Sequence, residues 1–205
     1  MYAAMMYANA PVTGPTAFNP VATAAAFLRN MKTDMKPVFT PLEFGLRVLA
    51  QCVAAVSAGA VATCILVGNH KVGHPAVGGG DIPHKFARAL LAESVGTSLV
   101  VIAFLAVATG RADPRSRDNG VHGAVVGLAY LAATASVGAI SGAALNPAVG
   151  LLTLVSDSDL SDEWLYWLGP AFGALVGLAC FRLAAHDVLE AEAAGDDKKD
   201  YAALA

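Results

Sequence analysis

Four stretches of the chain, residues 48–68, 90–109, 121–140 and 164–181, are apolar over nearly their whole length. A helix that crosses a bilayer needs about 20 predominantly apolar residues, and each stretch comes close to that length. The charged positions collect between them, around residues 29–36, 69–88, 111–118, 157–163 and 182–200. Two further apolar stretches, 18–28 and 145–155, are too short to span, and each has an Asn-Pro dipeptide at its start. Residues 1–8 are also apolar and short. They carry neither a basic flank nor a small-residue cleavage site, which argues against a signal peptide. The pattern predicts an all-α membrane protein with four spanning helices and two short ones.

The two short segments form an internal repeat. Phe18-Asn19-Pro20-Val21-Ala22-Thr23 returns as Leu145-Asn146-Pro147-Ala148-Val149-Gly150, each after a small-residue loop that contains Gly14 or Gly142. Asparagine before proline starts a helix efficiently. Its side chain accepts a hydrogen bond from a first-turn amide, while proline has no amide proton to leave unpaired. A single Asn-Pro reads as an ordinary helix cap. A pair heading two half-length apolar segments reads differently, because helices that stop inside a membrane are tolerated only where protein or a water-filled cavity surrounds them. Paired broken helices point to a transport site near the midplane.

Composition narrows the class further. Of the 205 residues, 56% are hydrophobic and 14% charged, against roughly 25% charged in soluble domains. The net charge of −3 gives no basic footprint for nucleic acid. Cys52, Cys64 and Cys180 all fall inside expected spans without CxxC or Cys/His spacing, so they read as packing residues, with no metal site or cofactor expected. Glu93 is the one acidic residue deep in a span; Glu43 and Arg47 stand at a helix entrance, where their spacing predicts a pair. Because Glu93 has no His, Asp or Lys partner within the spans, an intramembrane enzyme is not expected.

These motifs resemble the aquaporin, or major intrinsic protein, family over nearly the whole chain. Ser141-Gly142-Ala143-Ala144-Leu145-Asn146-Pro147-Ala148 is similar to its second signature loop. Ala92-Glu93-Ser94-Val95-Gly96-Thr97 resembles the start of its fourth helix, and Trp164 through Pro170 with Gly173 and Gly177 its sixth. Ala50-Gln51-Cys52-Val53 resembles the middle of the third. The resemblance implies a right-handed helical bundle with inverted repeats, two re-entrant half-helices and one pore per subunit of a homotetramer. It also implies an N-terminal truncation, since residues 1–8 match only the end of the second span. The expected domain covers residues 1–184, with the first repeat at 1–68 and the second at 87–184, followed by an acidic, cytosolic tail at 185–205.

Basic residues orient the chain. Arg29, Lys32, Lys36, Arg111, Arg115, Arg117, Arg182, Lys198 and Lys199 fall on one side and only Lys71, Lys85 and Arg88 on the other, which places the first group in the cytosol. The resemblance implies the same topology. His122 stands at the cytosolic mouth of the fifth span, with no chemistry assigned.

The expected function is passive movement of water or small uncharged solutes, such as glycerol or urea, across a membrane. Each half-helix would bring about half a positive elementary charge to the midplane, repelling cations and protons. The pore motifs are Asn19, Pro20 and Val21 with Asn146, Pro147 and Ala148, the two asparagines offering amide donors to a passing oxygen. Glu93 matches the family's buried glutamate, a brace for the second loop. Transferred filter positions are Thr134, Ala143 and Val149, the last standing where the family usually has arginine. Gly150 replaces the aspartate of many glycerol-conducting members. The alternative is a non-conducting truncated subunit with a structural or dominant-negative role. The glycines at 169, 173 and 177, and at 123 and 127, have the spacing that lets helices approach closely in lipid.

Overall fold

The computed structural model describes residues 17–29, 39–65, 75–78, 83–108, 122–155 and 160–186. All regular elements among them are helical: α1 (Pro20–Arg29), α2 (Pro41–Ile65), α3 (Lys85–Ala108), α4 (His122–Ser141), α5 (Pro147–Gly150) and α6 (Leu165–Ala184). Short 3-10 helices follow α5 at Leu151–Leu154 and precede α6 at Leu160–Asp162. Of these, α2, α3, α4 and α6 are long and apolar enough to cross a membrane. Residues 1–8 and most of the acidic tail lie outside the described residues.

The boundaries shift from those expected in ways that trace to particular side chains. Helix α2 starts at Pro41 rather than at residue 48 because Thr40 and Glu43 form a capping box. Glu43 N donates to Thr40 Oγ1 at 3.2 Å while the Glu43 carboxylate accepts from Thr40 N at 2.8 Å and from its hydroxyl at 2.9 Å. The Glu43 carboxylate is thus hydrogen-bonded to Thr40, with Arg47 acting on it as a nearby charge, while the Arg47 guanidinium lies 4.5 Å from the centre of the Phe39 ring. The second short helix makes only one α turn before narrowing to 3-10 geometry. Its end rests on α2 at Gly59, where a Cβ would fall 2.3 Å from Val155 Cγ2.

The core is built on the contact between α3 and α6. Gly169, Gly173 and Gly177 lie on the α3-facing side of α6, each at closest range: a Cβ on Gly173 would stand 2.3 Å from the Ser94 carbonyl oxygen, and one on Gly177 2.8 Å from that of Ser98. The small-residue spacing therefore brings backbone against backbone, the contact that substitutes for a hydrophobic driving force where the solvent is itself apolar. Ser94 adds a hydrogen bond across the seam, its hydroxyl donating to the Gly169 carbonyl at 3.0 Å. Outward positions such as Leu91, Val95, Leu175 and Val176 are exposed. An apolar exterior of this kind is the face that lipid solvates.

Candidate functional site

The loop from Ser141 to Asn146 holds an unusual backbone. Gly142, Ala143 and Leu145 have φ of 82°, 49° and 52°, a region that costs a non-glycine residue roughly 1–2 kcal/mol. Gly142 is also packed so tightly that a Cβ would stand 2.6 Å from Ala76 N. The conformation is held by Glu93, fully buried on α3. One carboxylate oxygen accepts from Ser141 Oγ at 2.7 Å and Ala144 N at 3.0 Å, the other from Leu145 N at 2.7 Å. Tyr166 on α6 closes the far side, its hydroxyl donating to the Ser141 carbonyl at 2.9 Å. A carboxylate satisfied by these directed donors is tolerable in an apolar interior where a lone one is not.

The first loop is braced by a neutral counterpart. Gln51 on α2 donates its amide to Thr23 Oγ1 at 2.9 Å and to the Ala17 carbonyl. Thr23 in turn donates to the Asn19 carbonyl at 3.0 Å. At the other end of α1, Arg182 donates to the Leu28 and Arg29 carbonyls, a positive charge where the last turn leaves acceptors unpaired.

The two Asn-Pro segments meet by a reciprocal exchange. Asn19 Nδ2 donates to the Leu145 carbonyl at 2.8 Å, and Asn146 Nδ2 donates to the Phe18 carbonyl at 2.9 Å. Each asparagine also caps its own helix, Oδ1 accepting from Val21 N and Ala148 N respectively, both at 3.0 Å. The symmetry then breaks. The second N–H of Asn19 goes to the Tyr130 phenol oxygen on α4, at 2.8 Å.

A model of the major intrinsic protein family matches residues 1–181 of the chain. The chain belongs to that family. Among curated relatives, it is 28% identical over 202 residues to a probable aquaporin PIP2-7 of Oryza sativa subsp. japonica, covering 93% of this chain and 63% of the relative. It is 29% identical over 156 residues to aquaporin TIP4-1 of Zea mays, covering 76% and 55%. With aquaporin-1 of Mus musculus it shares 30% identity over 142 residues, covering 65% and 48%. The chain thus spans less than two thirds of the length of each of these relatives. Family membership and the four long apolar helices make it an integral, multi-pass membrane protein.

Within this major intrinsic protein, the positions transferred to an outer filter do not behave alike. Thr134 and Ala143 each place a methyl group 3.9 Å from where a Cβ on Gly138 would stand. Val149 is half-buried and packs with Val77 against the cluster of Ala89, Ala144, Leu165 and Tyr166. Four polar residues of the site were not among those read from the sequence: Gln51 and Tyr130 as hydrogen-bonding groups, and Ser141 and Tyr166 as loop braces. Tyr130 had one available signal, since it precedes Thr134 by one helical turn on the same face of α4.

Proposed function

We infer that the chain forms a membrane channel for passive movement of water and small uncharged solutes, with Asn19 and Asn146 at the centre of the path. The observation that carries this reading is the reciprocal bonding of the two Asn-Pro segments, which brings the N-terminal ends of α1 and α5 together between spanning helices. Positive helix ends facing one another repel cations, while amide donors suit a neutral oxygen. In Asn146 one N–H is engaged by Phe18, and the other supplies that donor. The relatives' names, aquaporins from rice, maize and mouse, support the same reading.

In this reading residues 1–184 act as one transmembrane domain and 185–205 as a cytosolic tail. Glu93 serves as a brace rather than as a proton carrier, because both of its oxygens are committed to loop donors. Thr134, Ala143 and Val149 form a wide, weakly polar outer filter that admits glycerol- or urea-sized solutes, and the working assembly is a homotetramer with a pore in each subunit. The test is stopped-flow light scattering on vesicles that contain the purified chain. Osmotic shrinkage and solute re-entry faster than in protein-free vesicles support the reading, and rates equal to the empty vesicles overturn it.

A further inference from the structure

The sequence leads one to expect two equivalent asparagines, each offering an amide to the passing solute. The geometry is unequal. An asparagine amide has two N–H donors. In Asn19 both are bonded to protein, one to the Leu145 carbonyl and one to the Tyr130 phenol oxygen, each at 2.8 Å. In Asn146 one donates to the Phe18 carbonyl at 2.9 Å.

Tyr130 is placed to do more than fill space. Its ring packs against two separate core clusters, one built around α1 with Ala22, Val101 and Phe104, the other around the second loop with Val137 and Leu145. It therefore lies where the two halves of the chain come together, and it remains half-exposed while Asn19 is fully buried. A phenol in that position is a large apolar plate with one polar tip. The tip is bonded to the group that a solute oxygen would need.

We propose that Tyr130 is the specificity-determining residue at the centre of the path, its phenol oxygen holding the second Asn19 donor so that a solute gains that donor only by displacing it. This rests on the channel reading above and deepens it. Water can exchange for the phenol with little movement, because it is small and replaces one oxygen acceptor by another. A three-carbon polyol needs the ring itself to swing aside. The discrimination between water and larger neutral solutes thus sits at Asn19, inside the bilayer, while the outer positions Thr134, Ala143 and Val149 select little.

Two variants of the full 205-residue chain separate the parts played by hydroxyl and ring. Tyr130→Phe keeps the ring and releases the donor, and should raise water flux about threefold, the order of factor that one net hydrogen bond contributes, with little change for glycerol. Tyr130→Val removes the ring and should raise the ratio of glycerol to water flux by about fivefold or more. Both are measured in vesicles by light scattering at matched protein content, with wild type and protein-free vesicles alongside. If wild type conducts and both variants match it within twofold, Tyr130 is only wall and the proposal is overturned while the channel reading stands. If wild type and both variants equal empty vesicles, the channel reading fails and the proposal with it. Tyr130→Phe preserves the packing volume, so a Tyr130→Val chain too unstable to purify still leaves the water-flux result to decide.

Discussion

Leu145 gives its backbone N–H to the Glu93 carboxylate at 2.7 Å while its own φ stands at 52°. A strained residue is thus tied directly to the buried acid that holds it, and the cost of the conformation is offset at its source. Glu93→Gln replaces one acceptor oxygen with a donor group and leaves a loop N–H facing it. The expected loss is about 1–3 kcal/mol, seen as a lower thermal midpoint of the detergent-purified protein. Equal midpoints for wild type and variant would show that the loop does not depend on this carboxylate.

The glycine seam gives a paired comparison. In Gly173→Ala the new methyl must displace the Ser94 carbonyl, 2.3 Å away, whereas in Gly138→Ala the nearest atoms are methyl groups at 3.9 Å. The first should be destabilising, and the second neutral or stabilising, since alanine is favoured over glycine within a helix by about 1 kcal/mol. Thermal scans should show a lower midpoint for Gly173→Ala and an equal or higher one for Gly138→Ala. A shared direction would mean that backbone approach between α3 and α6 is not what the glycine provides.

Removing the asparagine side chain at the second motif should cost transport before it costs insertion. Asn146→Ala loses the cap on Ala148 N and the link to Phe18, and with them the amide donor that the proposed path requires. Water flux should fall by about tenfold, in line with one to two hydrogen bonds, at equal abundance in the membrane. Undiminished flux would remove Asn146 from the path.

Val149→Arg tests whether position 149 belongs to the proposed outer filter. Arginine adds a fixed charge and up to five donors where valine offers a short apolar wall. Glycerol or urea flux should fall more than water flux in vesicle assays. An unchanged flux ratio would place position 149 away from the constriction, a placement that its packing against Leu165 and Tyr166 makes worth testing.

Hydropathy alone was enough to find α2, α3, α4 and α6, because a long apolar run has few folded alternatives in a membrane protein. The Asn-Pro pair marked where α1 and α5 begin. The start of α2 was less legible: Glu43 and Arg47 interrupt the apolar run, and the Thr40–Glu43 capping box that explains them is a local signal easily read as an ion pair. Gln51 and Tyr130 were harder still. Each is flanked by apolar neighbours in its helix, and its role comes from partners 28 and 111 positions away in the chain. No periodicity within one helix encodes such a meeting.

The crossed asparagine bonds also impose an order on biosynthesis. Phe18 and Asn146 are 128 positions apart, and chains are synthesised at about 5–20 residues per second. The first short helix thus leaves the ribosome on the order of ten seconds before its partner exists. Within that interval Gln51 is also synthesised, 34 and 28 positions after Ala17 and Thr23, and adds its bonds to those that Thr23 makes locally to the Ala17 and Asn19 carbonyls. Its amide is thus a latch that can close on the first short segment before the second half of the protein exists.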